Sequence, residues 1–283
     1  MNAHILVATD GSAPAAEAVR WAAAEAVRGS RPLRIVHVSG VWGYDRPAAG
    51  AARQDEQSRS ILAEAARLAT AQEPGLSVAT ATAWGKVSAA LRREAAYASL
   101  LVLGRHGHGL TAALRIGSAV RALAAQPPCP LVVVAGAPAE PWGEVVVGFD
   151  EQSRADLAFA FAEADRRGAR LRAIHAWTPP VFSAFVGGDL SLSTELFDDA
   201  CAAAHETLQP WRERHPLVPV VEEAVCGGAV AALTAASARA DLVVVGSRKA
   251  MLGSVTSGVL HGAWCPVAVV HATPVPAAAR SQG

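Results

Sequence analysis

The chain of 283 residues carries no excess charge, with 25 Lys plus Arg against 25 Asp plus Glu. Without a global field, neither nucleic acid nor an anionic membrane surface is an expected partner. Cysteine is scarce: Cys129, Cys201, Cys226 and Cys265 form no Cys-x-x-Cys pair and show no metal-ligand spacing. That excludes a zinc module or a disulfide framework and leaves small, buried apolar residues of a reducing compartment. No uninterrupted apolar run approaches a membrane span, and the N-terminus enters a strand without a basic region or cleavage site. A soluble, cytoplasmic chain is the expectation. Chemical motifs are missing too. No Gly-Lys-Ser/Thr of the Walker type is present, and no His-x-Gly-His or Ser-Gly-Gly-x-Asp-Ser of the adenylyl-transferring folds. No paired carboxylates and no Ser-His-Asp set stand at the expected strand ends, so no catalytic residue is assigned.

What is there reads as a core-forming protein, 52% hydrophobic and 18% charged. Its organising stretch is Leu100 to Leu103, an apolar run that ends at Gly104 and leads through Gly107 to Gly117-Ser118. Val120, Leu123 and Ala124 then mark a short helix, which Ser118 is expected to cap. Glycine admits positive φ and lets a ligand approach bare backbone, and a helix start offers N–H groups to an anion. Arg105, His106, His108 and Arg115 in the same loop could offset phosphate charge, although solvated loop residues look the same. Earlier in the chain, strands are expected at His4–Ala8, Leu33–Val38 and Leu76–Thr82, with helices from Pro14 to about Gly29, at 53–71 and at 87–97. Residues 40–52 read as loop, and a last strand covers Leu131–Val134. Strands alternating with helices define a parallel α/β sheet covered on both faces.

The plan then restarts after a Pro-containing linker near residues 136–143. Phe149-Asp150 matches Thr9-Asp10, His175 matches His37, and Val225-Cys226-Gly227 matches Ala83-Trp84-Gly85. Leu242–Gly246 matches Leu100–Gly104, Gly253-Ser254 matches Gly117-Ser118, and the Cys265-Pro266 strand matches the Cys129-Pro130 strand. Matched landmarks in one order indicate two homologous domains, 1–137 and 142–272, followed by a loose tail at 273–283. The organising loop is where the copies diverge: Gly246 to Gly253 is six residues shorter than Gly104 to Gly117, and Lys249 stands in place of Gly107.

These residues carry a resemblance. Asp10-Gly11-Ser12 after strand one, His37-Val38 after strand two, the Gly104/Gly107/Gly117-Ser118 loop and the Cys-Pro-led last strand resemble tandem members of the universal stress protein family. The resemblance implies a Rossmann-like five-stranded parallel sheet in each half, the halves packing as a pseudo-two-fold pair through their last strands. It also implies ATP, with or without Mg, as a cofactor, since many members bind it and members with a disrupted glycine pattern do not. By position, Asp10 and Val38 would lie at the nucleoside end, Leu103 and Gly104 at the ribose, and Gly107, Gly117, Ser118 and Ala119 at the phosphates. The second-half counterparts are Asp150, Ala176, Val245, Gly246, Gly253, Ser254 and Val255. The implied function is that of an ATP-binding regulatory stress protein, with at most slow ATP hydrolysis and a protein partner or homodimer that the resemblance does not name. The alternative is a nucleotide-free interaction module of the same fold.

From the residues themselves, Asp10 reads either as a hydrogen-bond acceptor for ligand or as a cap for the next helix. His37 and His175 read as packed or hydrogen-bonded histidines. Trp84, Trp142, Trp177 and Trp264 read as packing or interface anchors. Pro210 is expected to bend or end the helix around residues 195–214.

Overall fold

The computed structural model describes residues 4–40, 48–106, 116–136, 140–177, 190–247 and 252–271. Gly107, His108, Arg115, Lys249 and the expected tail lie outside them.

Ten strands form one sheet. The first half contributes β1 (His4–Ala8), β2 (Leu33–Ser39), β3 (Val78–Trp84), β4 (Ala98–Gly104) and β5 (Leu131–Val134). The second contributes β6 (Glu144–Gly148), β7 (Arg170–Trp177), β8 (Val220–Cys226), β9 (Leu242–Ser247) and β10 (Val267–His271). Their order is β3-β2-β1-β4-β5-β10-β9-β6-β7-β8, each half repeating one topology. All neighbours run parallel except β5 and β10, which pair antiparallel with Ala268 opposite Val132. Each of these strands would otherwise present an apolar edge, and their pairing removes both at once.

Helices cover both faces. Helices α1 (Ala13–Arg28), α2 (Ala48–Gln72), α5 (Arg154–Arg167) and α6 (Leu190–Arg214) pack on one side. On the other lie α3 (Val87–Glu94), α4 (Ser118–Ala125), α7 (Ala229–Ala236) and α8 (Ser254–Gly262). Alternate residues of each strand therefore enter different cores: Ile5 and Val7 join one, Leu6 the other. Both cores run without a break across the two halves.

Several local expectations change. The third strand starts two residues later, at Val78, and α2 begins at Ala48 inside the stretch read as loop. The helix at 87–97 divides into α3 and a short 3₁₀ turn at Ala95–Tyr97. Pro210 lies inside α6, which continues to Arg214. Trp142 and Trp264 are exposed rather than packed. Burial pushes the thiols of Cys129 and Cys265 up to about 12, which makes them inert at neutral pH.

One polar cluster joins the halves on the α1/α5 face. Glu25 of α1, 1% exposed, binds Arg28 at 2.7 Å and reaches across to Arg167 at 2.7 Å and Arg166 at 3.2 Å on α5. Glu163, 2% exposed, binds the same two α5 arginines at 2.5 and 3.0 Å. Arg167 also lies over the Trp21 ring. In sequence these look like the ordinary surface pairs of two amphipathic helices.

Candidate nucleotide crevices at the strand ends

In each half the strand order reverses between two central strands, β1 and β4 in the first and β6 and β9 in the second. Connections leave such neighbours toward opposite faces, which opens a crevice beyond their C-terminal ends.

The first crevice has a volume of about 300 Å³. Asp10, Val38, Leu103, Gly104, Gly117, Ser118 and Ala119, drawn from four separate stretches of sequence, all line it. Thr9, Ala15, Val87, Leu91, His106 and Val120 also line it. Of these only His106 stood out in the sequence, because the others look like ordinary helix and strand residues.

The turn after β1 is built locally. Gly11 has φ of +81°, the left-handed region that glycine tolerates. Asp10 accepts the Ser12 amide at 3.0 Å, and Ser12 caps α1 by accepting the Ala15 amide at 3.4 Å. His37 Nδ1 lies 2.9 Å from the Thr9 carbonyl. A carbonyl can only accept, so Nδ1 carries the proton and pins the turn that holds Asp10. Asp10 thus shapes its own turn and also faces the crevice. The second half repeats the device, with His175 Nδ1 3.2 Å from the Phe149 carbonyl.

Neither described glycine of the organising loop has a positive φ, and of the two only Gly104 is required by close approach. Gly104 lies against the start of α1, where an added Cβ would sit 2.7 Å from the Pro14 carbonyl oxygen. Gly104→Ala is therefore expected to destabilise the fold by about 1–3 kcal/mol in a denaturation experiment, through overpacking against backbone that cannot rotate away. Gly117 has φ of −64° and ψ of 151°, and a Cβ there would keep 3.6 Å from the Arg105 carbonyl oxygen. Gly117→Ala should stay within about 0.5 kcal/mol.

Gly117, not Ser118, is the N-cap of α4, and it makes no side-chain capping bond. The first bond within α4 runs from the Arg121 amide to the Gly117 carbonyl at 3.0 Å. The amides of Ser118, Ala119 and Val120 precede it and have no acceptor within the helix. Three donors and the positive helix end face a crevice that Val38, Val87, Leu91 and Leu103 line with apolar surface, with Thr9, Asp10 and His106 as its polar lining. An anionic group at one end and a flat apolar group at the other fit this arrangement.

The second crevice, about 540 Å³, is the larger. Asp150, Ala176, Val245, Gly246, Gly253, Ser254 and Val255 all line it. Gly253 caps α8 as Gly117 caps α4, again without a side-chain bond. The turn differs. Asp150 accepts the Gln152 amide at 2.9 Å and the Ser153 hydroxyl at 3.2 Å, so one extra residue restores a serine at the N-cap position despite the missing Gly-Ser pair. Asp156 also lines this crevice, where the first half has alanine.

Each crevice is tied to the opposite half. Arg105, which follows β4, donates to the Ala263 carbonyl beyond α8, and Ser247 at the end of β9 donates to the Ala125 carbonyl of α4 at 3.1 Å.

Fold and sites together define a tandem, doubly wound α/β protein with a ligand-sized crevice in each half. The model of the Universal stress protein family matches residues 1–135 and 143–271. Universal stress protein Rv2005c of Mycobacterium tuberculosis is 33% identical over 94% of this chain and 96% of its own length. A universal stress protein of Mycolicibacterium smegmatis is 31% identical with the same coverage. Among solved structures, a universal stress protein from Archaeoglobus fulgidus superposes with a TM-score of 0.69 at 17% identity, over 95% of this chain and 98% of that one. The chain belongs to the universal stress protein family.

Proposed function

We propose that the chain is an ATP-binding regulatory protein of the cytoplasm, with the nucleotide held in the first crevice. One observation supports this most: Asp10, Val38, Leu103, Gly104 and Gly117–Ala119 converge on a single cavity with an uncapped helix start at one end. In this reading the amides of Ser118, Ala119 and Val120 bind phosphate oxygens, because such donors without an intrahelical acceptor suit an anion. Val38, Leu91 and Leu103 enclose the base, and the Asp10 carboxylate accepts from the nucleoside. Mg would accompany the phosphates as a counterion, held mainly by them and by water. Because Arg105, the residue after Gly104, contacts the opposite half, the bound state has a route to the surface a partner protein reads.

The two halves are proposed to be unequal. The second connection is six residues shorter, which removes backbone amides that could surround phosphate oxygens. Calorimetric titration with ATP is expected to give about one site per chain. Asp10→Ala should weaken that binding, whereas Asp150→Ala should leave it nearly intact. Two equivalent sites, or a larger loss from Asp150→Ala, would overturn the asymmetry, and no binding at all would favour the nucleotide-free interaction module.

A further inference from the structure

We infer that the outer edge of β3 is a self-pairing surface, where a second copy of this chain adds its own β3 antiparallel and joins two sheets into one.

Pairing of β5 with β10 closes the inner edges and leaves β3 and β8 as the outermost strands of the sheet. They are equivalent, each the third strand of its half and seven residues long, Val78–Trp84 and Val220–Cys226. The ladder shows which backbone groups face outward. The Ser77 carbonyl accepts the Leu33 amide, and the Gly85 amide donates to the Ser39 carbonyl, so the odd-numbered residues of β3 bond β2. Successive residues alternate, and Val78, Thr80 and Thr82 therefore turn their N–H and C=O groups outward. None of these groups has a partner among the described residues. Ala79 and Thr80 are exposed as well.

The two outer edges differ in what guards them. β8 carries Glu222 and Glu223 within the strand, bound to Arg212 and Arg172 at 2.6 Å each. Its ladder has the same parity, with the Pro219 carbonyl and the Gly227 amide turned to β7. Glu222 thus stands in the outward set where β3 has Thr80. Two copies of β8 would set Glu222 against Glu222, the like-charge contact that keeps natural edges apart. β3 has no charged residue, no proline and no glycine, only valine, alanine and threonine before Trp84. An open edge of this composition pairs with another strand.

The strand that fits it is its own copy. Arg93 donates to the Trp84 carbonyl at 3.1 Å, which takes up the last outward acceptor. The register that avoids Trp84 is centred on Thr80, with Thr80 opposite Thr80 and Val78 opposite Thr82. It forms about six backbone hydrogen bonds, two for each facing pair. Facing residues share a face, so the pairs join β-branched side chains, which suit cross-strand contact. Helix α2 packs beside β3 on the Val78 face and carries Arg53, Arg59 and Arg67 interspersed with Asp55, Glu56 and Glu64. Across the twofold axis two antiparallel copies of α2 meet with balanced charge. A charged peptide gains nothing from this uncharged strand, whereas an identical one matches it residue for residue.

Sedimentation of the full chain at about 100 μM is expected to show a species of twice the chain mass. Thr80→Pro removes an outward N–H that the β2–β3 ladder does not use, so the fold should stand. Thr80→Lys sets two ammonium groups opposite each other at the twofold axis. Both should raise the dimer dissociation constant at least about tenfold with little change in unfolding temperature. In a chain with Cys201→Ser and Cys226→Ser, Thr80→Cys should give a disulfide between copies on mild oxidation. Facing residues of a hydrogen-bonded pair lie about 5.5 Å apart at Cα, within disulfide reach. Thr82→Cys in the same background should give none, because its copies lie roughly 13 Å apart along the strands. A monomer, a dimer that survives both Thr80→Pro and Thr80→Lys, or no disulfide in the Thr80→Cys chain would overturn the inference. Equal cross-linking through Thr82→Cys would do the same. Should either Thr80 variant unfold, the pair of cysteine variants decides.

Discussion

Gly117→Asp is expected to abolish ATP binding while leaving the fold as stable as before or slightly more so. Gly117 is the N-cap of α4, with extended backbone and room for a Cβ. Aspartate is among the best N-cap residues because its carboxylate accepts the amides of the first turn. Those amides, from Ser118 to Val120, are the donors assigned here to phosphate. The variant would therefore occupy them and set a negative charge beside the phosphate position. Loss of two such charge-assisted bonds, at roughly 1.5–3 kcal/mol each, corresponds to about a hundredfold loss of affinity or more. Titration calorimetry and thermal unfolding on the same preparation separate the two effects. Retained affinity would remove the α4 start from the site. A collapse in stability would mean that Gly117 serves the fold.

The second large effect is expected at the polar cluster between the halves. Burial pushes the Glu25 carboxyl up, but Arg167, Arg28 and Arg166 together outweigh it and hold Glu25 below its ordinary value of 4.5. Burial, reinforced by the Glu25 charge, raises Glu163 above that value. Glu25 therefore contributes stability that is fully present above 4.5 and is lost as pH falls through its depressed folded value. Glu163 has the opposite sign. Its ionisation costs stability that is absent well below 4.5 and grows as pH rises through its raised folded value. At neutral pH, Glu25→Gln removes the carboxylate that Arg28, Arg166 and Arg167 share and leaves the two α5 arginines with Glu163 alone. The expected loss is about 3–5 kcal/mol, the usual result of removing one partner from a buried charge pair. Glu163→Gln should cost clearly less, because it removes the less favourable charge. Thermal unfolding measured from pH 7 down to about pH 2 checks both, because the Glu25 contribution is lost only below 4.5. Equal losses would show that the two glutamates share one environment.

Much of the fold could be read from residues that break a pattern. Gly104, Gly246 and the two Cys-Pro pairs end or begin strands, and the same landmarks reveal the duplication. The alternation of strands and helices fixed the layers, and the liability of an apolar edge pointed to the β5–β10 pairing. The crevice residues were legible where chain geometry is local: Asp10 at a strand end, Gly117 at a helix start. Residues whose role depends on what lies across a gap were not. Gly104 reads as a conformational glycine, yet its requirement comes from the Pro14 carbonyl on another element. Asp156 reads as a favourable acid in the first turn of α5, and only the approach of β9 buries its carboxylate against Gly246. Aligning the two copies on their N-cap serines would have shown that Ala15 is replaced by Asp156. Glu25 and Glu163 look like solvated helix charges because burial by the opposite half has no local signature.

Photolabelling of the wild-type chain with an azido-ATP probe, followed by peptide mapping, reads directly where nucleotide binds. The expected label falls on first-half peptides that line the crevice, those containing Val38, Leu91 or Leu103, and ATP protects them. Label confined to the second half, or none that ATP displaces, would contradict this placement.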